Sequence, residues 1–436
     1  MAEGIADTCF HMNSILKGLS YTRRDFLKKA TFGAAGSSLL LNSCARHDTQ
    51  IDVSYQQLDT ILSQPVLKTE LFTEPVIIDD VELLRYGDSI LCRVISKDGA
   101  VGISVSNDLY MTELIPIFIR RILPLFIGKD AIQLESLLLE AHFRSYKLQG
   151  LALWIPIATI ELAILDMLGQ ITGKPMGELI GEIHHSHIPL YLANNNRGRS
   201  AEESLSRIME NVSKHPFKAL KIKVAGRMHL PEEPENRSEK LIPLVRKSLG
   251  DEMTIYADAN SGYSIAEAIR IGRIMEDHNF GYFEEPVRFD DYEGTKRVAE
   301  ALHIPIAGGE QEPSMYNFRW LIKNNALQVL QPDQFYFGGM VQTIKVARMA
   351  GIAGKKCTPH MSGRGLGYLY MMHLVSVLPN AAPFHEFKGF NDNLPMECPT
   401  SDLAIHENGT IKVPTGPGLG VVIDPDFIAK HKVLSA

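Results

Sequence analysis

From Val76 the chain changes from a polar lead to a pattern of short apolar runs. Val76-Ile77-Ile78, then Val81 to Leu84, then Ile90 to Ile95 carry β-rich residues. Turns at Tyr86-Gly87-Asp88 and Lys97-Asp98-Gly99 separate them, and Asp-Gly between such runs predicts a hairpin. Three stretches then carry apolar residues at spacings of three and four, which predicts helices over about 111–127, 130–146 and 155–171. Gly173-Lys174-Pro175 stops the last of them. A further helical stretch falls near Tyr55 to Leu62 in the polar lead. Beyond residue 186 the rhythm alternates: Ile188 to Asn194, Lys218 to Val224, Met253 to Asn260, Tyr282 to Pro286, Ile304 to Glu310, Leu327 to Asp333, Lys356 to His360 and Pro383 to Phe387 read as strands. A helical stretch lies between each pair. Eight strands alternating with helices at this period predict a parallel barrel rather than an open sheet.

The fold class is therefore α/β, a modified (β/α)7β TIM barrel preceded by an α+β capping domain. The expected division is a leader over 1–43, a linker over 44–69, the cap over 70–186, the barrel over 187–394 and a C-terminal segment over 395–436. That last segment is loop-rich, with Asn408-Gly409 and Pro417-Gly418-Leu419-Gly420, and is expected to return to the cap.

Composition narrows the function classes. Hydrophobic residues make up 45% and charged residues 22%, an ordinary globular balance. No uninterrupted apolar run reaches 18 residues, so no membrane-spanning helix is expected. A net charge of −7 argues against nucleic acid as a partner. Five scattered cysteines with no Cys-x-x-Cys pair argue against a disulfide scaffold and a structural zinc site. Near the start, Thr22-Arg23-Arg24-Asp25-Phe26-Leu27-Lys28 precedes a short apolar stretch, Ala30 to Leu41. This resembles a twin-arginine export signal. Leu41-Asn42-Ser43-Cys44 resembles a lipoprotein cleavage box, which would leave Cys44 to carry a lipid. The expectation is export to the periplasm or cell envelope, with any membrane contact through that anchor. Met12 is a second candidate start.

The chemistry sits at the strand ends. Lys221 and Lys223 lie on the second barrel strand, Asp258 ends the third, Glu284 the fourth, Glu310 the fifth, Asp333 the sixth, His360 the seventh and Glu386 the eighth. From Asp258 onward the spacings are 26, 26, 23, 27 and 26 residues, so one ionisable group recurs per strand–helix unit. The C-terminal strand ends of a barrel converge on one mouth. Burying a charge there is costly unless it is paired or binds metal. Three converging carboxylates, Asp258, Glu284 and Glu310, would repel one another, and a hard divalent cation would relieve that; all-oxygen ligation favours Mg²⁺, with Mn²⁺ the alternative. Glu285 should face away by strand alternation. Lys221 and Lys223 point to one side, and a cation and burial would lower their pKa values, making either a general base. Asp333 beside His360 would fix the imidazole tautomer and raise its basicity. Cys357 reads as a packing residue and Gly338-Gly339 as a helix opening.

Together Lys221-Ile-Lys223, Asp258-Ala-Asn260, Glu284-Glu285-Pro286, Gly309-Glu310, Asp333, His360 and Glu386 resemble the enolase superfamily, in its mandelate racemase/muconate lactonizing enzyme family (mandelate racemase subgroup). The stretch Ala158 to Gly181, Gly338-Gly339 and the glycine-rich tail support the resemblance, which spans about residues 75–425. It implies magnesium-assisted removal of the proton α to a carboxylate. By position, Asp258, Glu284 and Glu310 would hold the metal, and Lys223 and His360 would be opposed acid/bases. Lys221 would neutralise the substrate carboxylate and depress the Lys223 pKa. Asn260 would lie near the substrate. Glu386 would hydrogen-bond a carboxylate oxygen, for which it should be protonated or share a proton. Homo-oligomers are implied too. The expected activity is that of an acid-sugar dehydratase; racemisation or epimerisation, cycloisomerisation of an anhydro-sugar acid, and acid-sugar binding without turnover by a lipoprotein are the alternatives.

Two features depart from the family pattern. The first cap hairpin is a tight turn, Arg85-Tyr86-Gly87-Asp88, where family members carry a long mobile loop. The usual glutamate at the end of the next hairpin is absent from Gly102-Ile-Ser-Val-Ser106. A wider, wetter mouth is expected, suited to a larger substrate or completed by another subunit, with the polar stretch Arg227 to Lys240 a candidate substitute cover.

Overall fold

The computed structural model describes residues 51–434, apart from 108, 363–364 and 389–394. The expected leader, Cys44 and Met12 lie outside these residues.

The capping sheet is built by β1 (Ile78–Tyr86), β2 (Ser89–Ser96) and β3 (Val101–Val105), all antiparallel neighbours. Tyr86 pairs with Ser89, so Gly87 and Asp88 alone make the first turn. Gly87 adopts φ +60°, a conformation that glycine reaches without steric cost. The two apolar runs expected at Val76 and Val81 fall in one continuous stretch, because a bulge between Ile78 and Asp80 resets the alternation.

Before the sheet, α1 (Tyr55–Leu62) forms where its pattern predicts, with a capping box between Ser54 and Gln57. The expected helix over 111–127 is not continuous. It is α2 (Met111–Ile117), then a wider turn over Phe118–Ile122, then a tighter one over Leu123–Leu125. Pro116 and Pro124 each lack a backbone N–H, and that explains the break. The next helix, α3 (Leu134–Arg144), is shorter than expected. The third, α4 (Leu151–Thr172), starts four residues early and carries Pro156 within it; burial of Leu153, Trp154 and Ile155 outweighs the one bond the proline removes.

Helix α4 is long and apolar enough to cross a membrane by length and composition, yet 89% of its most apolar window is buried inside the protein. It packs on β3 at Gly102, where a Cβ would overlap the Ala163 carbonyl and the Met167 amide. It also carries Asp166, whose carboxylate accepts the backbone N–H groups of Ile103 and Leu419, each at 2.8 Å. One buried side chain thus ties the helix to the cap sheet and to the C-terminal tail. The tail continues to Lys432–Val433, which pairs antiparallel with β1.

The barrel strands are β4 (His187–Ala193), β5 (Ala219–Lys223), β6 (Thr254–Asp258), β7 (Phe283–Glu284), β8 (Ile306–Gly308), β9 (Val329–Leu330), β10 (Lys356–Cys357) and β11 (His385–Phe387). Each falls within or within one residue of its expected run. They are parallel neighbours in chain order from β4 to β10, and β11 pairs with β4. A parallel bridge between Cys357 and Ala381 closes the ring. Inside it, Tyr191, Tyr256 and Tyr282 form a layer with Ala219, Ala307 and Val329, and the rings of Tyr256 and Tyr282 stack at 3.8 Å. Side chains on or beside six successive strands fill the interior, so it is a packed core and not a pore.

The helix Leu366–Ser376 anchors the tail through His373, buried with Nε2 at 3.0 Å from the Leu419 carbonyl. Burial pushes this imidazole down from 6.5 to about 4. Below pH 6.5 the unfolded chain takes up a proton that the folded protein refuses, so stability falls as pH drops from 6.5 towards 4, by up to about 3 kcal/mol. His373→Gln keeps a donor for Leu419 and removes the titration. Its unfolding midpoint, followed by denaturant titration, should depend less steeply on pH in that window; an unchanged acid limb would count against His373.

Candidate active site

Register brings the charged groups together. Lys223 pairs with Asp258 across β5 and β6, and Asp258 pairs with Glu284 across β6 and β7. Residues in register on parallel strands share a face at the strand spacing of about 4.8 Å. Glu310 lies just past β8, after Gly309 at φ +112°, and His360 lies past β10 in a parallel bridge with Asp333.

Each carboxylate on this floor has a cationic partner. Lys221, fully buried, places Nζ 2.7 and 2.9 Å from the Glu284 oxygens, 3.4 Å from Glu386 Oε1 and 3.9 Å from Asp258 Oδ2. Lys223 Nζ makes a short contact with Asp258 Oδ2 and donates to Asn260 Oδ1 at 3.1 Å. His360 holds Asp333 Oδ2 at 2.7 Å through Nδ1 and Glu310 Oε2 at 3.1 Å through Nε2. Among the described residues, no three His, Cys, Asp or Glu side chains already stand in metal-holding geometry. The carboxylates expected as ligands instead carry Lys223, Lys221 and His360.

Charge states follow from these contacts. Burial alone would lower the Lys221 ammonium, but Glu284 and Glu386 outweigh it and hold it well above the usual lysine range. In this state Lys221 is a fixed cation, against the expectation of a lowered pKa. Glu386 is the mirror case: burial would raise it, yet Lys221, Lys388 and His360 keep it well below the usual carboxylate range. It is therefore ionised here, where the resemblance asks for a proton. Asp258 is also depressed; Lys223, Lys221 and Arg197 together overcome its burial. Glu284 goes the other way, up to about 7, through burial and the neighbouring Asp258 carboxylate, with Glu310 adding to it. For His360, burial lowers the imidazole, but Glu310 and Glu386 raise it more, with Asp333 adding to them, so the net shift is upward.

A second layer holds the dyad. Asp333 Oδ1 accepts the N–H groups of Phe335 and Tyr336 at 2.8 and 2.9 Å and the Ser362 hydroxyl at 3.0 Å. Ser362 in turn accepts Asn107 Nδ2 at 3.0 Å, a buried link from the loop after β3. Gly338 and Gly339 do open a helix, Met340–Ile352, and the carboxylate of Glu161 on α4 accepts the Val341 N–H there at 2.8 Å. Cys357 is buried packing in β10.

Sequence reasoning missed four participants. Arg197, in the loop after β4, donates to Asn260 Oδ1 and to the carbonyls of Ala225, Val224 and Asp258 at 2.9–3.2 Å. Nothing periodic marks it. Gln331, two residues before Asp333, donates to Glu284 Oε2 at 2.8 Å. Lys388, two residues after Glu386, lies 3.3 Å from its Oε2. For these two, period-two alternation was the available signal. The fourth, Tyr336, packs 6.3 Å from the His360 ring. Glu285 does not reach solvent. It is buried at φ +40° against Gly308, and burial and its acidic neighbours Glu310, Asp258 and Glu284 push it far up.

The family described as Enolase C-terminal domain-like matches residues 203–427, just over half of the chain. The chain belongs to the enolase superfamily. Its relatives in this superfamily include the arabinonate dehydratase of Saccharolobus solfataricus, 26% identical over 353 residues, covering 79% of this chain and 91% of that one. The D-galactarolactone cycloisomerase of Agrobacterium fabrum is 26% identical over 70% of this chain and 82% of its own. Among solved structures, a mandelate racemase/muconate lactonizing protein of Paracoccus denitrificans complexed with magnesium superposes with a TM-score of 0.73 at 27% identity, covering 83% of this chain and 99% of that one.

The arginine clip has a measurable consequence. Lysine cannot span four acceptors, so Arg197→Lys should lower stability by about 2–3 kcal/mol by leaving buried carbonyls unpaired. Amide hydrogen exchange should rise at Val224 and Met228, whose N–H groups bond Asp258 and Asn260 at 3.0 and 2.9 Å. Unchanged exchange at both would refute the clip.

Proposed function

We propose that this protein is an acid-sugar dehydratase that removes the proton α to the substrate carboxylate. The observation that carries this is the placement of Lys223 and His360 at the ends of β5 and β10, on a floor that also bears Asp258, Glu284 and Glu310. The relatives named as acid-sugar dehydratases and cycloisomerases support it.

The donor set fits a hard divalent cation. Asp258, Glu284 and Glu310 are three buried carboxylates on or just past successive strands; burial and then repulsion from Asp258 raise Glu284 to about 7, and such an ion would relieve the repulsion. These three would hold Mg²⁺. Bound there, it would supply positive charge against the substrate carboxylate and make the α-hydrogen more acidic.

The chain's own residues do the rest. Lys223, once neutral, takes the α-proton on Nζ as the Cα–H bond breaks. His360 gives its Nε2 proton to the departing β-hydroxyl oxygen, the C–O bond breaks, and water and an enol result. The enol tautomerises to a 2-keto acid. Asp333 holds Nδ1–H, so Nε2 is the nitrogen presented to substrate. Lys221 keeps a fixed positive charge beneath the reacting carboxylate. A second reading, cycloisomerisation, begins with the same proton transfer and is favoured by the cycloisomerase relatives.

The decisive experiment is incubation with D-arabinonate, D-gluconate, D-galactonate and galactarate in D₂O with Mg²⁺, following the α-hydrogen by NMR. Exchange or loss with at least one acid is expected, together with a 2-keto product. Lys223→Ala and His360→Ala should each reduce turnover by at least about 100-fold. Galactarolactone and 3,6-anhydrogalactonate, added to the same series, test the second reading: opening of either ring to a linear keto acid with no water lost, without turnover of the four open-chain acids, would select it. No exchange with any acid, in protein that binds Mg²⁺, would overturn both.

Metal binding has its own readout. Millimolar Mg²⁺ should raise the melting temperature of the wild type through binding to the folded state. The rise should vanish in Asp258→Asn, Glu284→Gln and Glu310→Gln. A rise that persists in all three would place the ion elsewhere.

A further inference from the structure

Lys388 lies two residues past Glu386, so the pleat sends both side chains to the same side of the closing strand. Its Nζ donates to the Met361 carbonyl at 2.6 Å and lies 3.3 Å from Glu386 Oε2. The Lys221 and Lys223 side chains are 1% and 9% exposed, whereas that of Lys388 is 34% exposed. It is the most accessible of the three ammonium groups. Its charge reaches both Glu386 and His360.

Glu386 is held between two lysines. Oε1 faces Lys221; Oε2 accepts the Met361 N–H at 3.0 Å and faces Lys388. An ionised carboxylate only accepts hydrogen bonds. It has no proton to offer a substrate oxygen, so a donor on this side of the mouth has to be another group.

We propose that Lys388 is that donor: its ammonium, held 3.3 Å from Glu386 Oε2 and 2.6 Å from the Met361 carbonyl, binds an oxygen of the substrate carboxylate beside His360, and Glu386 serves to position it. This rests on the proposed function. It assigns to the Lys388–Glu386 pair the contact that a protonated Glu386 would otherwise make alone, and it makes Glu386 a positioning residue.

The two assignments respond differently to substitution. If Glu386 were the donor, Glu386→Gln would keep an N–H and most of the activity, and Lys388→Met would matter little. Under the proposal, Lys388→Met lowers kcat/KM by about 10- to 100-fold, as expected for a lost charge-assisted bond, mostly by raising KM. Lys388→Arg recovers a substantial part of the loss. Glu386→Gln costs a similar factor, and the double variant costs no more than the worse single. Calorimetric binding of the same four acids to the Mg²⁺-supplemented full chain gives a readout that does not need turnover: Lys388→Met should weaken binding by at least about 10-fold in protein whose melting transition shows it folded at the temperature of the titration. Absence of α-exchange in the wild type would count against the function, while the binding data would still judge Lys388. Affinity and kcat/KM within about threefold of wild type in Lys388→Met, or strictly additive losses in the double variant, would overturn the proposal.

Discussion

A single ammonium group, that of Lys221, touches carboxylates delivered by three different strands. It reaches Glu284 from β7, Glu386 from β11 and Asp258 from β6. Besides Glu285, five carboxylates are buried at this end of the barrel: Asp258, Glu284, Glu310, Asp333 and Glu386. Removing that much charge from water is affordable only when each group finds a cation or a set of N–H donors. Lys221, Lys223, His360, Lys388 and Arg197 supply the cations, and the loop after β9 supplies the donors to Asp333. The register of β5, β6 and β7 is under the same constraint. A slip of one residue would send Lys223, Asp258 or Glu284 to the opposite face and leave the others uncompensated. Beneath them the tyrosine layer closes the barrel to water, with the Tyr191 ring 5.3 Å from the Lys221 ammonium.

The capping domain contributes rigidity as well as cover. Helix α4 sends Glu161 to the start of Met340–Ile352, where Gly339 has no room for a Cβ because it would overlap the Glu161 carboxyl. Burial pushes Glu161 up to about 8, so it is mostly neutral at pH 7 while its Oε1 receives the Val341 N–H. That contact fixes the far end of the loop that begins at Asp333. The near end is fixed by Asp333 itself, through Phe335 and Tyr336. The orientation of His360 is thus set from two sides, one of them in the cap.

The strands were legible because each couples a short apolar run to one charged end, and a spacing near 26 residues repeats that pairing. Period-two alternation then put Lys221 with Lys223 on one face, and the parallel order placed Asp258 beside Lys223. Helix continuity was less legible. The apolar spacing over 111–127 runs straight through Pro116 and Pro124, and the backbone donors those prolines remove outweigh it. Charge state was not legible from single residues. By sequence, a cation and burial should neutralise Lys221, and the resemblance asks Glu386 to keep or share a proton. Each is decided by partners on other strands. Lys388 was overlooked for a related reason, since it lies past the end of a strand whose charged residue had already been assigned. Arg197 acts by binding carbonyls, which every residue possesses, so no side-chain pattern announces it.

The tight turn at Gly87-Asp88 changes which part of the cap meets the chemistry. Two residues cannot reach across a barrel mouth, so the first hairpin cannot be the lid. The loop after β3 takes that position. Asn107 bonds Ser362 within the Asp333 network, and the Tyr110 ring packs 5.9 Å from that of Tyr336, which lies 6.3 Å from His360. On the opposite side, Met228 and His229 donate their backbone N–H groups to the carbonyls of Asn260 and Ser261, folding Arg227–His229 over the end of β6. Among the described residues, His360 and Lys223 are therefore approached by two short, hydrogen-bonded segments. Such segments can shape a site without closing over it. Fixed groups at the mouth then contribute to selectivity, and Lys388, 3.3 Å from Glu386 Oε2, is one such group.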